Sequence, residues 1–282
     1  PHRRPLRPLP PRLLSAGGVA PGGPPPKEGA ALRAASAGGV ARLLLGWPRT
    51  PRHPTNDGGR QRAAMGRLAK QLWPTASYWH LGQQPAEELD RLRPNWERLR
   101  REFGFPHDWN LGERLEAAAH AASRQAHGLD ARHGAVAAAD WTHAAHRTIL
   151  HGDPKAPNFF FRAPPFADTG AEARPDLGVI DFQWSGLGLG AVDVAYCLAA
   201  SADGSVFSGG TAADAVRPYL DGYHAELLRA SARRGDAAGD GPGRLTREVL
   251  QEQFEWATID LARVIIGDHW SGLTREVLAV RA

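Results

Sequence analysis

The chain has 282 residues, a hydrophobic fraction of 42% and a single cysteine, Cys197. This length allows one large domain or two modest ones, and one cysteine excludes a disulfide framework and favours a reducing compartment, so a cytoplasmic location is expected. No apolar run reaches the roughly 18 residues of a membrane span. The net charge of +4 is small, and basic and acidic residues are intermixed after residue 85, so no nucleic-acid partner is expected.

Residues 1–60 are rich in Pro, Arg, Gly and Ala, and no acidic residue precedes Glu28. This composition predicts a low-complexity segment that is disordered or a degraded remnant of a smaller lobe. An organelle transit peptide is basic and poor in acids in the same way, so organelle targeting stays open. Because the chain opens with proline and Met65 is its only methionine, we expect the natural N-terminus to be missing.

Apolar spacing predicts a mainly helical remainder. The predicted helices cover 61–73, 85–92, 94–103, 111–127, 136–146, 191–201, 212–233, 244–265 and 272–281. Pro94 is placed at the start of its helix, where the missing N–H leaves no hydrogen bond unmade. Between 147 and 183, short β-branched and aromatic runs predict a β-loop-β region with a Pro-, Asp- and Gly-rich insert at 163–177.

Two polar motifs stand in that region. Asp153 and Lys155 follow an apolar run, Asn158 comes five residues after Asp153, and Asp181 ends the run Val179-Ile180. Phosphoryl transfer requires mainly positioning and charge neutralisation, and two carboxylates, a carboxamide and an amine supply both. An Asp and an Asn at this spacing are by themselves more typical of an ordinary turn. Their joint occurrence with a second strand-end aspartate, in this order, carries the prediction.

The pattern His-Gly-Asp-x-x-x-x-Asn at 151–158, followed by Ile-Asp-Phe at 180–182, resembles the catalytic and metal-binding loops of the aminoglycoside phosphotransferase and choline kinase-like families. The continuation through 186–196 is most similar to the choline-kinase-like (CHK kinase-like) branch. The resemblance covers roughly residues 60–280. It implies an α+β, protein-kinase-like fold, mainly a helical C-terminal lobe at 61–282 with a small β region around the loops at 148–184.

The resemblance also implies an activity, the ATP-dependent transfer of the γ-phosphoryl group to a hydroxyl of a small molecule such as an amino-alcohol or an aminoglycoside. Asp153 would be the catalytic base or orienter, and Lys155 would place a charge near the transferring group. Asn158 and Asp181 would bind Mg²⁺ and, through it, the phosphates of ATP. Lys155 could equally be a solvated loop charge.

Two further residues are expected to support the loops. The resemblance implies that Asp193 braces backbone N–H groups of the catalytic loop, and helix capping is the simple alternative. His151 could be a ligand or base, or could pack behind the loop and hydrogen-bond backbone. The glycines at 186, 188 and 190 are expected to form a flexible counterpart of an activation segment, and Phe159–Phe161 and Cys197 are expected to be core residues.

The acceptor pocket is expected among the C-terminal helices. The residues that would line it, offering acids and aromatic rings to a cationic acceptor, are Trp256, Asp260, Asp268, His269 and Trp270. A core-plus-surface reading of the same residues stays open.

Residues 1–60 contain no recognisable phosphate-covering loop or strand lysine, so the N-terminal lobe is expected to be incomplete or absent. A catalytically inactive pseudokinase or binding module is therefore the alternative to a kinase. A protein that binds nucleic acid through its basic N-terminal arm is a third hypothesis, and it predicts steeply salt-dependent binding.

Overall fold

A computed structural model of the chain describes residues 72–85, 87–129, 146–162, 176–207, 210–234 and 245–275. The helices and strands in these residues are α1 (Glu87–Phe103), α2 (Leu111–Ala126), β1 (Arg147–Leu150), β2 (Phe159–Arg162), β3 (Asp176–Val179), β4 (Gly186–Leu189), α3 (Gly190–Ser201), α4 (Ala212–Arg234) and α5 (Arg247–Val264). A helical body with short antiparallel strands is the predicted α+β arrangement, and that prediction is confirmed. The N-terminal segment 1–60 lies outside the described residues.

Helix α5 is central to the described body, because α2, α3 and α4 all pack along it. Val192 of α3 meets Leu261 and Val264 of α5 in one buried cluster. Each such side chain contributes about 1.5–3 kcal/mol on leaving water, so this interface holds α3 firmly. None of the described helices is long and apolar enough to cross a membrane.

Helix α1 differs from its prediction. Two helices were expected, with Pro94 beginning the second, but a single helix runs through Pro94. A proline inside a helix removes one backbone hydrogen bond and costs about 3 kcal/mol. The apolar stripe of Leu92, Trp96 and Leu99 continues across the proline and is buried against α2 and the end of α5. Packing of that stripe outweighs the local cost of the proline. Pro94 itself faces solvent and is not part of the stripe.

The helices predicted at 111–127, 191–201, 212–233 and 244–265 correspond to α2, α3, α4 and α5 with small shifts at their ends. Helix α5 does not stop at its predicted end but continues into a π-helical turn, Ile265–His269. The other predicted helices, at 61–73, 136–146 and 272–281, lie almost wholly outside the described residues.

The strands form two small sheets, and the two loops that join one sheet to the other lie side by side. Strand β1 pairs antiparallel with β4, and β2 pairs antiparallel with β3. The chain therefore passes from the first sheet to the second through residues 151–158, the Asp153 loop, and returns through residues 180–185, the Asp181 loop. The backbone N–H of Ile180 donates to the carbonyl of Asn158 at 3.1 Å, which joins the two loops directly.

The glycines at 186, 188 and 190 were expected to be flexible, and that expectation is wrong. Residues Gly186–Leu189 form β4 and are largely buried. A side chain at Gly186 would overlap the backbone of Trp73, and one at Gly190 would overlap the hydroxyl of Tyr223. These glycines allow close packing rather than movement.

A buried ionic group, the Arg263 cluster (Glu88, His127, Asp260 and Arg263), connects the helices. Arg263 Nε donates to Asp260 Oδ1 at 2.9 Å, its Nη2 donates to the carbonyl of Trp79 at 2.8 Å, and its Nη1 pairs with Glu88 of α1. His127, at the end of α2, lies 3.4 Å from the Asp260 carboxylate. Buried charges need such partners, and these partners tie α1, α2, α5 and the segment before α1 together.

Candidate functional site

Asp193, in the first turn of α3, holds the start of the Asp153 loop. Its Oδ2 accepts from the backbone N–H of His151 at 2.8 Å and its Oδ1 accepts from that of Gly152 at 3.1 Å. Burial raises the pKa of Asp193 to about 7, against the lowering effect of those two hydrogen bonds, and the nearby Asp153 charge raises it further. Because both carboxylate oxygens accept from the backbone of the Asp153 loop, they face that loop rather than the N-terminus of α3.

Gly152 allows the two loops to touch. Its φ is +85°, a left-handed conformation that side chains rarely adopt, and a Cβ there would overlap the carbonyl oxygen of Trp184 in the Asp181 loop. Only glycine satisfies both conditions at this position, so the chain direction immediately before Asp153 depends on it.

The Asp153 carboxylate is buried, with 2% of the residue exposed. Its Oδ2 accepts from Lys155 Nζ at 2.8 Å, and the carbonyl of Asp153 accepts from Asn158 Nδ2 at 2.8 Å. Its Oδ1 is buried and has no hydrogen-bond partner among the described residues. Leaving a buried carboxylate oxygen without a donor costs free energy. Such an oxygen is suited to accept a hydrogen bond from a hydroxyl of a bound molecule.

His151 connects the two loops. Its Nδ1 accepts from the backbone N–H of Asp153 at 3.2 Å, which leaves the hydrogen on Nε2 to donate to the carbonyl of Ile180 at 2.9 Å. Burial lowers the pKa of His151, although the hydrogen bond to Ile180 and the charges of Asp153 and Asp181 act in the opposite direction. A neutral imidazole with this tautomer fits both contacts.

Asp181 differs from Asp153 in almost every respect. It is exposed, its φ is +64°, and in the described part of the chain its carboxylate makes no hydrogen bond or ion pair. Asparagine and aspartate are the residues other than glycine that adopt this backbone most readily. The Ile180–Asn158 backbone contact brings the chain at Asp181 beside the loop that carries Asp153, Lys155 and Asn158. A common role of these four residues stays a prediction.

The predicted acceptor residues separate into two groups. Asp260 is fully buried in the Arg263 cluster, so it cannot line a pocket and the prediction is wrong there. Trp256 is partly buried against the core, and its place in an acceptor pocket stays a prediction. Asp268, His269 and Trp270 are exposed at the π-helical turn and its end. His269 Nε2 lies 3.3 Å from the Tyr78 hydroxyl, and partial burial lowers the pKa of His269.

Sequence reasoning missed two tyrosines. The hydroxyl of Tyr78 lies 3.2 Å from that of Tyr196, and the Tyr78 ring contacts Trp184 of the Asp181 loop at a centroid distance of 5.7 Å. Tyr196 follows Asp193 by three residues on α3, which places the two side chains on neighbouring positions of one helix face. That spacing was a usable signal for Tyr196, whereas nothing in the sequence around Tyr78 pointed to the site.

The three phenylalanines after Asn158 were expected in the core. Phe159 is buried as expected, but Phe160 is 56% exposed, and the prediction is wrong there. Phe160 lies opposite Gly178 in the β2–β3 pair, so no side chain covers it from the neighbouring strand. Cys197 is buried, as expected, and burial followed by the Asp193 charge raises the pKa of its thiol to about 12, which leaves it unreactive.

Comparison with known families and proteins gives one match. The family model described as the phosphotransferase enzyme family matches residues 21–236, which is more than half of the chain. The matched range includes both loops and α3, begins within the segment predicted to be of low complexity and ends before α5. Neither the curated proteins nor the solved structures give a significant match.

Proposed function

The chain belongs to the phosphotransferase enzyme family, with its protein-kinase-like fold, and we propose that it transfers the γ-phosphoryl group of ATP to a hydroxyl of a small molecule in a Mg²⁺-dependent reaction. The observation that carries this proposal is the buried Asp153 carboxylate, whose Oδ1 is unpartnered, beside Asn158 and the exposed Asp181. Asp153 would orient the acceptor hydroxyl through Oδ1 and receive its proton.

Asn158 and Asp181 fit a magnesium ion. Nδ2 of Asn158 is used by the Asp153 carbonyl, so its Oδ1 is the atom available to a cation, and Asp181 adds a free carboxylate. The described residues contain no group of three His, Cys, Asp or Glu side chains able to hold a metal. Mg²⁺ is usually bound by few protein ligands, because substrate phosphates supply part of its coordination. When bound, the ion would neutralise charge on those phosphates.

Lys155 would pair first with Asp153 and then with the phosphoryl group. Its ammonium pairs with Asp153 Oδ2 at 2.8 Å while about a third of its side chain stays exposed. A lysine held in this way keeps its point charge at the mouth of the site. Rotation about its flexible stem would bring that charge to an incoming phosphate without moving the loop backbone.

The face of the β2–β3 sheet supports a position for the nucleotide base. Phe160 and Gly178 lie opposite each other and share one face of the sheet, and Ile180 directly follows the end of β3. Phe160 and Ile180 are about half exposed. We propose that the adenine ring lies on these two side chains while the phosphates extend toward Asn158 and Asp181.

A cationic acceptor, such as an amino-alcohol or an aminoglycoside, agrees best with the opposite side of the site. Trp73 and Trp184 are stacked there with their centroids 5.6 Å apart, and the Tyr78 ring is tilted against Trp184. The Asp268 charge acts on Tyr78, whose pKa is raised to about 12 mainly by burial. Aromatic faces beside an exposed carboxylate attract an ammonium group.

The test is thermal unfolding of the whole chain with Mg²⁺ and ATP. At a ligand concentration of about 100 times Kd, binding stabilises the folded state by about 2.7 kcal/mol. We expect the shift to require Mg²⁺ and to disappear in Asp181→Ala. The matched control is Asp108→Ala, which removes an exposed aspartate in the α1–α2 connection and should leave the shift intact.

Turnover is then measured as phosphate release and as phosphorylation of choline, ethanolamine and kanamycin. A shift without any turnover would favour the pseudokinase alternative. The absence of a shift in the wild type would contradict the proposed function.

A further inference from the structure

The Asp153 loop is attached to helix α3 at two separate points. At the start of the loop, Asp193 accepts from the backbone N–H groups of His151 and Gly152. Further along the loop, the backbone N–H of Ala156 donates to Oγ of Ser201, the last residue of α3, at 2.7 Å. The first attachment fixes the chain before the proposed base, and the second fixes the chain after it.

One face of α3 makes both attachments. Asp193, Cys197 and Ser201 follow one another at intervals of four residues, and residues with this spacing lie on the same face of a helix. Between the two polar ends, the buried Cys197 packs with Phe159, and Ala156 packs against them. The loop therefore lies along this face, held by a carboxylate at one end, by apolar contacts in the middle and by a hydroxyl at the other end.

Ser201 ties a short 3₁₀ turn, Ala156–Asn158, to the helix. The carbonyl of Ala156 accepts from the backbone N–H of Phe159, so Ala156 is bound through both its N–H and its C=O. The N–H of Asn158 donates to the carbonyl of Lys155 at 2.9 Å. These backbone hydrogen bonds stay within residues 155–159, whereas the bond to Ser201 fixes the whole turn against α3.

The turn carries the proposed magnesium ligand at its last position. Asn158 is buried, and its Nδ2 donates to the carbonyl of Asp153 at 2.8 Å, which leaves Oδ1 for a cation. A displacement of the turn would move this oxygen relative to Asp181, which belongs to the other loop. Because Mg²⁺ requires nearly ideal octahedral geometry with ligands at about 2.1 Å, such a displacement would weaken its binding.

We infer that Ser201 is a positioning residue for magnesium binding, because its hydroxyl oxygen holds the turn Ala156–Asn158 against α3 and thereby fixes Oδ1 of Asn158. Ser201 acts through the backbone and need not contact the ion or the nucleotide. This role rests on the proposed function, since it takes Asn158 as a ligand of the ion.

The dissociation constant for Mg·ATP, measured by thermal-shift titration of the whole chain, tests this role. Ser201→Ala leaves the Ala156 N–H without its acceptor, so the ordered turn is less populated before the ion binds. Apparent affinity falls with the fraction of competent molecules, and we expect Kd to rise about three- to tenfold, the effect of one lost hydrogen bond. Ser201→Thr keeps the hydroxyl and should restore the wild-type Kd.

The kcat for Mg·ATP hydrolysis should respond differently from Kd. Saturating Mg·ATP orders the turn again, so we expect kcat of Ser201→Ala to stay within about twofold of the wild-type value. A large fall in kcat with an unchanged Kd would mean that Ser201 acts on the reaction itself, and the inference would be wrong.

Ser123→Ala is the matched control. Ser123 on α2 also accepts a backbone N–H from outside its helix, that of Leu81 at 3.2 Å, but this bond joins α2 to the segment before α1 rather than to the Asp153 loop. We expect a comparable loss of stability and an unchanged Kd for Mg·ATP. An equal rise of Kd in both variants would trace the effect to general destabilisation and contradict a role for Ser201 in positioning.

A double-mutant cycle locates the effect of Ser201. In Asn158→Ala, which leaves Asp181 to hold the ion, the oxygen that Ser201 is inferred to position is gone. Adding Ser201→Ala should then change Kd for Mg·ATP no further. Full additivity of the two substitutions would show that Ser201 acts on some other group.

Amide hydrogen exchange tests the attachment in the chain without ligand. The Ala156 N–H should exchange faster in Ser201→Ala than in the wild type or in Ser201→Thr. Equal exchange rates in all three would show that Ser201 does not hold the turn.

Failure of the inference is distinguishable from failure of the proposed function. A wild-type Kd for Mg·ATP in Ser201→Ala would overturn only the role of Ser201. A parent chain that does not bind Mg·ATP would contradict the proposed function and, with it, this role.

Discussion

The Asp153 loop and the Asp181 loop lie side by side but are built in opposite ways. In the Asp153 loop the backbone is held by Asp193, and the carboxylate is buried and held on one side by Lys155. In the Asp181 loop the carboxylate is exposed and has no partner in the described part of the chain, although Trp184 behind it is stacked on Trp73.

This difference shows that the protein supplies partners for the Asp153 loop and its carboxylate but, in the described part of the chain, none for the Asp181 carboxylate. Orientation of the acceptor must be accurate before reaction, so the fold supplies the partners of Asp153 in advance. Under the proposed function the Asp181 carboxylate must remain available to a cation and to phosphates, and any strong protein partner would compete with them. The left-handed backbone at Asp181 costs conformational free energy, and residues with such backbones cluster at functional sites.

The largest expected effect comes from exchanging each aspartate for asparagine. Asp153→Asn removes the proposed base, and we expect kcat to fall about 10²- to 10⁴-fold while the Mg·ATP thermal shift remains. Asp181→Asn tolerates the same left-handed backbone but is a neutral, weaker ligand, so the Mg·ATP shift should be lost. Phosphate release and thermal unfolding measure the two effects.

The two variants together test the comparison itself. If Asp153→Asn abolished the shift and Asp181→Asn preserved it, the division between a base loop and a metal loop would be reversed.

A smaller effect is expected at the brace of the Asp153 loop. Asp193→Asn leaves one carbonyl oxygen to serve the N–H groups of both His151 and Gly152, so one buried donor loses its acceptor. We expect the free energy of unfolding at pH 8 to fall by about 1–3 kcal/mol, measured by urea denaturation. The control is Asp214→Asn in the exposed first turn of α4, where surface substitutions typically change stability by about 0.5 kcal/mol or less.

The smallest effect concerns the contact between the loops. The pKa of His151 is lowered in the folded state from its ordinary value of 6.5, so below pH 6.5 the unfolded chain binds more protons than the folded one. Stability from this group is present above pH 6.5 and is lost as pH falls through the folded pKa. We expect the stability difference between pH 7.5 and 5.5 to be smaller in His151→Asn than in the wild type. Equal differences would show that His151 is not the group responsible.

The sequence alone singles out three polar residues of the two loops, and their roles in catalysis and metal binding stay predictions. Asp153, Asn158 and Asp181 could be predicted because their spacing along the chain and their position at the ends of apolar runs are local properties. Their meeting in one site required only that two neighbouring strand pairs share their connections. Helices α2 to α5 were predictable from the local spacing of their apolar residues, and in α4 the prediction ran correctly through Pro218.

What escaped prediction depends on contacts between distant parts of the chain. Pro94 stops a helix in isolation, but burial of the residues around it decides otherwise. The glycines of β4 suggest flexibility until Trp73 and Tyr223 are seen to occupy the space beside them. Tyr78 contacts Tyr196 and His269, which are more than 100 positions away in the chain, and the spacing of residues along a sequence does not predict such contacts.

The Arg263 cluster has a consequence for how this sequence can change. Glu88 and Arg263 are 175 positions apart, yet loss of Arg263 leaves Glu88 and Asp260 buried without their arginine partner, at a cost of about 3–5 kcal/mol. Replacing the whole group by well-packed apolar residues can be neutral by comparison. Single substitutions here therefore lead through unstable intermediates, so divergence at these positions must be concerted. The segment that carries Tyr78 is drawn into the same constraint, because Arg263 also binds the carbonyl of Trp79, the next residue along the chain.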